Sequence, residues 1–191
     1  MTQRFIVIFG PPAVGKMAVG AELEVLTGVR LFHNHLSIEP VLRLFPFGSP
    51  PFVRLVEQFR RRIFEEVAAS DLPGLAFTFV WDLDAEGDRR FLEDACAIFA
   101  TRGFEIAFVE LAADLTTRLE RNRSPQRLEQ KPSMRDVARS EETLRTLERH
   151  RLNSDGAIPL PHRHLRIDNT DRSPRAVAEE IASALGLECA E

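Results

Sequence analysis

The segment Arg4-Phe5-Ile6-Val7-Ile8-Phe9 is a run of β-branched and aromatic residues, the composition of a strand buried on both faces. It is broken at once by Gly10-Pro11-Pro12-Ala13-Val14-Gly15, and Lys16 then opens a segment with helical character that Gly28 stops after Thr27. A buried strand, a glycine-bounded turn and a helix in direct succession leave few ways to fold. The glycines let the backbone curl so that several N–H groups point inward, and the helix N-terminus adds partial positive charge. A lysine directly after the second glycine can reach the outer phosphates of a polyphosphate as a compact point charge. The plain alternative is a glycine-proline turn between strand and helix, and such a turn has no need of the lysine.

Residue usage sharpens this reading. Of the 25 basic residues only Lys16 and Lys131 are lysine, so a lysine in the turn stands out against a background of arginine. The loop also departs from the full G-x-x-x-x-G-K-[ST] pattern. Met17 stands where a hydroxyl would meet magnesium, and a thioether is a poor ligand for a hard cation.

The rest of the chain alternates in the same way. Strand-like runs at 29–32, 75–81, 104–111 and 164–167 are separated by helical patterns near 50–69, 87–101, 114–122, 133–152 and 174–185. The 50–69 helix carries Phe52, Leu55, Val56, Phe59, Ile63 and Val67 at helical spacing. Continuous apolar strands in regular alternation imply a parallel sheet covered on both faces, an α/β fold. The stretches 33–51 and 121–133 are irregular in pattern, and a mobile cover would lie there. The 191 residues, 44% apolar, suit one domain spanning 1–191. No apolar run approaches the roughly 20 residues that span a bilayer. Met1-Thr2-Gln3-Arg4 runs straight into the apolar strand-like segment with no A-x-A-like cleavage site, so a mature cytoplasmic protein without membrane contact is expected. Two cysteines, Cys96 and Cys189, exclude a disulfide framework. The net charge of -4 argues against a nucleic-acid partner.

The Gly10–Lys16 loop, the arginine-rich segment at 118–127 and the Asp168-Asn169-Thr170 turn before the last helix together resemble a small P-loop kinase. The group contains shikimate, gluconate, nucleoside and nucleotide kinases and chloramphenicol phosphotransferase. The resemblance implies a three-layer αβα fold with a five-stranded parallel sheet. It also implies a helical acceptor-binding insert at 33–72 and an arginine-bearing lid at 118–133, closing over ATP with Mg²⁺ and a small-molecule acceptor. Gly10, Pro11, Pro12, Ala13, Val14, Gly15, Lys16 and Met17 would then cradle the nucleotide. Arg118 would stack on adenine, and Asn169 and Thr170 would offer backbone groups to its edge. Arg121, Arg123 and Arg127 are lid candidates, their forks of donors spread over the moving phosphoryl group. Each has an ordinary alternative: a solvated basic turn for the arginines, an Asx-type turn for 168–170.

His33-Asn34-His35 emerges from the second strand, on the side where open α/β sheets bind ligands. Shikimate-kinase-like proteins keep acidic residues there, and this chain has none. A histidine, His35 above all, can still serve as a base near neutral pH. The H-x-H spacing permits a metal pair, but no third ligand lies near it. Asp82 closes the third strand; it is the candidate carboxylate for orienting an acceptor hydroxyl and for meeting magnesium through water. Trp81 reads as core. Arg54, on the insert helix, is a candidate for an anionic acceptor. The sequence thus points to a monomeric or homodimeric kinase of a small molecule, nucleoside or nucleotide. A nucleotide-binding regulator or NTPase without an acceptor, and a kinase of polynucleotide ends, are the competing readings.

Overall fold

The computed structural model describes residues 2–125, 133 and 135–190. The strands β1 (Arg4–Phe9), β2 (Arg30–Phe32), β3 (Gly74–Phe79), β4 (Glu105–Ala112) and β5 (Arg163–Asp168) form one sheet in the order β2-β3-β1-β4-β5. Every pairing is parallel. Strand β1 is central, with Phe9 level with Phe79 of β3 and Glu110 of β4.

Side chains of β1 alternate between two cores, as a pleated strand requires. Phe5, Val7 and Phe9 pack with Phe64, Trp81, Leu92 and Phe99 beneath α3 (Pro50–Ala68) and α4 (Glu86–Ala100). Ile6 and Ile8 pack with Val19, Leu23, Val177 and Ile181 beneath α1 (Lys16–Thr27) and the C-terminal helix α7 (Pro174–Leu185). The expected α/β architecture, covered on both faces, is therefore present. The chain leaves β1 toward one face and β3 toward the other. Their loops diverge at the carboxyl edge of the sheet and open a crevice between them, the usual ligand position in such folds.

Three local expectations change. A helix, α2 (His35–Leu42), occupies part of the stretch that its prolines marked as irregular. Pro40 comes late in this short helix, and the first turn is held by Leu36 N–H on the His33 carbonyl at 2.9 Å and Ser37 Oγ on the Asn34 carbonyl at 2.8 Å. Helix α3 buries Phe52, Val56, Arg60, Phe64 and Ala68, while Leu55 and Phe59 of the predicted stripe are 41% and 46% exposed. The row that packs is the one spaced by four, and it contains an arginine. The polar helix expected to reach Leu152 ends at Leu147 (α6, Val137–Leu147). Beyond it the chain is drawn off the helical path onto the β3–α4 connection, where Leu83 N–H donates to the Arg151 carbonyl at 2.9 Å. Helix α5 (Leu115–Asn122) precedes α6 and is capped by Asp114, which accepts from Thr117 N–H at 2.7 Å. Trp81 is fully buried, as its reading as core requires. No helix among the described residues is long and apolar enough to cross a membrane.

Gly10 has φ +135°, and a Cβ there would lie 2.3 Å from the Leu111 carbonyl oxygen of β4. The obstacle is backbone at the edge of a buried strand, so it cannot yield cheaply. Gly10→Ala is therefore expected to cost at least ~2 kcal/mol in chemical denaturation. A loss under about 0.5 kcal/mol would contradict this packing.

Candidate active site

The turn after β1 is built on three residues with positive φ: Gly10 at 135°, Ala13 at 62° and Gly15 at 110°. The first two bend the chain over the end of β1, and the third delivers it into α1. Lys16, first residue of that helix, folds back across the turn, and its Nζ donates to the carbonyls of Gly10 at 2.6 Å and Pro11 at 2.8 Å. The ammonium is thus held over the curl that a polyphosphate would enter.

The turn is braced from outside. Asn169, 2% exposed, donates its side-chain amide to the Val14 carbonyl at 2.9 Å. Arg121 of α5 donates Nη1 to the same carbonyl at 3.1 Å and Nη2 to the carbonyls of Asn169 and Thr170 at 2.8 and 3.0 Å. Thr170 donates its amide and hydroxyl to Asp168 at 3.0 and 2.7 Å, which holds that carboxyl below its ordinary range. The 168–170 turn and the phosphate-type loop are therefore one bolted unit, with Arg121 as the bolt. Gly15 has no side chain for a reason: a Cβ would lie 3.1 Å from Asn169 Nδ2.

The other expected arginines stand apart from the loop's mouth. Arg123 is exposed and forms a bidentate pair with Glu141 of α6 at 2.6 and 3.2 Å. Arg118 is 3% exposed and pairs with Glu148 at 2.7 Å, with Nε and Nη1 buried and unpartnered. Its guanidinium helps to wall a cavity of about 200 Å³ that Pro11, Glu148, His150, Arg151, Leu152 and Asn153 complete. In that position it lies beside the loop, on a cavity wall that it shares with Pro11. Arg127 and Lys131 lie outside the described residues.

On the insert side, Asn34 and Arg60 meet. Arg60 Nη2 donates to Asn34 Oδ1, and Nε donates to Ser37 Oγ at 2.9 Å. The guanidinium lies within 6 Å of the Phe77, Phe79 and Phe91 ring centres, at 5.6, 5.9 and 5.5 Å. Burial lowers its pKa to about 10, with Glu57 and Asp88 acting in the opposite sense. Arg54, the arginine expected for an acceptor, is exposed on the same helix. His33 is half-buried at the end of β2. His35 pairs through Nδ1 with Glu39 at 2.9 Å, and Glu39 also accepts from the Ser133 hydroxyl at 2.5 Å. Burial would raise the Glu39 carboxyl, but the Ser133 and His35 hydrogen bonds hold it below its ordinary range.

Asp82 lies beyond the end of β3, facing the crevice. Its Oδ1 accepts Asp84 N–H at 3.1 Å and its Oδ2 meets His150 Nδ1 at 2.6 Å. Its own N–H donates to Asp88 at 2.9 Å; burial raises the Asp88 carboxyl above its ordinary range. Residues 148–154 form a strap across the carboxyl edge. Besides Asp82 it is fixed by Arg151 on Asp84 at 3.0 Å and by Asn153 and Ser154 N–H on Glu110 at 3.0 and 2.8 Å. Glu110 is fully buried in β4 and also meets His164 at 3.0 Å and Arg166 at 3.2 Å.

These donors do not build a protein-held magnesium site. Met17 offers a thioether, both Asp82 oxygens are engaged, and no group of three or more His, Cys, Asp or Glu among the described residues could hold a metal. The Asp82 oxygens face a backbone amide and an imidazole, which leaves contact through water as the mode by which this residue would meet magnesium. An ion accompanying a triphosphate would be held by phosphate oxygens and water, a mode natural to magnesium.

Arg60, Asp88, Glu110 and His150 were not singled out from the sequence. Two of them left a signal. Arg60 interrupts the four-spaced row Phe52, Val56, Phe64, Ala68, and Glu110 interrupts the apolar run of β4. Asp88 and His150 left none, because their partners lie elsewhere in the chain.

No family model and no curated protein matches the sequence. Solved structures do match in fold. A sugar kinase from Janibacter sp. HTCC2649 is 13% identical with TM-score 0.59, covering 97% of this chain and 95% of that one. Shikimate kinase from Acinetobacter baumannii, in complex with shikimate, is 18% identical with TM-score 0.53, covering 96% and 93%. The APS kinase CysC of Mycobacterium tuberculosis, in complex with AMPPNP and APS, is 16% identical with TM-score 0.56, covering 97% and 98%. The chain has the fold of the P-loop kinases.

Arg60 carries a folding cost that a structural residue would not need. Near neutral pH it is charged in both folded and unfolded states, so the penalty of lowering its pKa to about 10 is present in full, roughly 3 kcal/mol against the neutral form. The penalty is relieved only as pH rises through that value. Arg60→Met, similar in volume, is expected to leave stability within ~1 kcal/mol of wild type or to raise it in urea denaturation. A loss above about 3 kcal/mol would show that the guanidinium is a net structural element.

Proposed function

We propose that this chain is an ATP-dependent phosphotransferase that moves the γ-phosphate to a hydroxyl or phosphate of a small molecule, nucleoside or nucleotide. The observation that carries the reading is the Gly10–Gly15 turn with Lys16 Nζ held over it, at the crevice between the diverging β1 and β3 loops. In this reading the triphosphate displaces the carbonyls of Gly10 and Pro11 from Lys16 and takes its ammonium. The turn's positive-φ geometry brings backbone amides and the α1 N-terminus to the phosphates. The 168–170 turn, bolted to the loop by Arg121, flanks the base. Arg123 exchanges Glu141 for phosphate oxygens when the triphosphate binds.

The acceptor enters from the insert at 33–72. The buried Arg60 with Asn34 offers fixed polar groups there, and Asp82 stands at the end of β3. Transfer is in line, and most of the catalysis is positioning and charge stabilisation. Magnesium bound to the triphosphate supplies further charge neutralisation. ATP as donor is consistent with a cytoplasmic enzyme. A nucleotide-binding regulator or NTPase without an acceptor is favoured by one observation, Met17 at the hydroxyl position; the polar groups prepared on the insert side speak for an acceptor.

Lys16→Ala is expected to remain folded by circular dichroism and to lose at least ~100-fold in phosphoryl transfer, scored with ATP, magnesium and a metabolite panel. Unchanged turnover would remove the central role of the loop. Met17→Ser adds the missing hydroxyl and is expected to lower the magnesium concentration that gives half-maximal turnover. An unchanged magnesium dependence would show that phosphate and water already satisfy the ion.

A further inference from the structure

Three imidazoles among the described residues are paired with carboxylates: His35 with Glu39, His150 with Asp82, and His164, 11% exposed, with the fully buried Glu110. Their surroundings differ. The His35 side chain is 13% exposed, is bound within the insert helix, and shares its carboxylate with Ser133. The His150 side chain is 48% exposed and lines, together with Pro11 of the phosphate-type loop, the cavity of about 200 Å³. Its Nδ1 lies 2.6 Å from Asp82 Oδ2, and no described side chain or carbonyl meets its Nε2.

The pair is not needed to hold the strap in place. Leu83 N–H on the Arg151 carbonyl, Arg151 on Asp84, and Asn153 and Ser154 on Glu110 fix it on both sides of His150. The arrangement is that of an imidazole oriented by a carboxylate, with its second nitrogen left for a reacting proton.

We infer that His150 is the proton acceptor of the reaction, that Asp82 is its positioning residue, and that the phosphoryl acceptor is an alcohol. This rests on the phosphotransferase reading above. The acceptor O–H bond breaks and its proton passes to His150 Nε2. The oxygen forms a bond to the γ-phosphorus, and the bond from that phosphorus to the β,γ-bridging oxygen breaks, leaving its electron pair on ADP. Asp82 accepts the Nδ1–H hydrogen bond and stabilises the imidazolium. The alcohol follows from the same chemistry: a phosphate acceptor arrives as an oxyanion and has no need of a base, whereas an alcohol must lose a proton.

The test compares wild type, His150→Ala, Asp82→Asn and Asp84→Ala. Acceptors are water, a panel of sugars, polyols and nucleosides, and a panel of nucleoside monophosphates, each with ATP and magnesium. His150→Ala is expected to lose about 10²–10⁴-fold in kcat for an alcohol acceptor. Added imidazoles should restore part of that rate, and the restored rate should rise with the basicity of the imidazole, which a purely structural side chain would not produce. Asp82→Asn is expected to lose at least ~10-fold without rescue. Asp84→Ala, which removes a neighbouring strap contact, should stay near wild type. Thermal unfolding of each variant separates loss of chemistry from loss of fold.

Wild-type turnover that persists in His150→Ala within about twofold would overturn the assignment and leave the phosphotransferase reading standing. So would rescue independent of basicity, or turnover with nucleoside monophosphates alone. Absence of wild-type turnover with every acceptor would overturn the parent reading.

Discussion

The structure depends on a backbone that excludes a side chain at one point and strains against one at another. Gly10 lies against the Leu111 carbonyl of β4, and Gly15 lies against Asn169. Between them the chain turns back over the end of the central strand. Val14's carbonyl, at the far side of that turn, receives both Asn169 and Arg121. A curl of this kind has little stability of its own, since it replaces regular hydrogen bonding with left-handed backbone. It is held by the sheet on one side and by a buried amide and a guanidinium on the other. Lys16 can therefore be placed with little freedom.

Around this point the molecule separates two kinds of arginine. Arg121 bonds only to acceptors on the loop and the 168–170 turn, and it works as a brace. Arg60 is buried among phenylalanine rings, with its charge costly and its hydrogen bonds directed at Asn34 and Ser37. Folding alone gives no reason to keep a desolvated guanidinium there, and function often maintains such groups against stability. The strap at 148–154 adds a third component. It crosses from the β3–α4 connection to β4 and sets one imidazole against one carboxylate beside the loop. A fully buried Glu110 makes sense in this light, because it ties down the strap from within the sheet.

Much of the fold could be read directly from residue patterns, because the strands are short apolar runs and their boundaries are glycines and prolines. The phosphate-type loop was legible for the same reason: its chemistry is local, and Lys16 is rare. The 168–170 turn was legible as a turn, while its bolt to Val14 was not, since Arg121 and Asn169 come from distant segments. Helix α2 was hidden by Pro40, a residue that a short helix tolerates late in its length. The α3 stripe was misplaced because Leu55 and Phe59 look like core, whereas the four-spaced row that packs includes Arg60. His150 could not be read at all: nothing about a histidine in a polar stretch announces an aspartate 2.6 Å away that lies 68 residues earlier in the chain.

All of these assignments converge on a loop that takes a polyphosphate. Amide hydrogen exchange over residues 10–17, with and without ATP and magnesium, tests that directly. The account predicts slower exchange in this segment and in the 168–170 turn on adding nucleotide. Exchange rates that do not change at saturating ATP would contradict it.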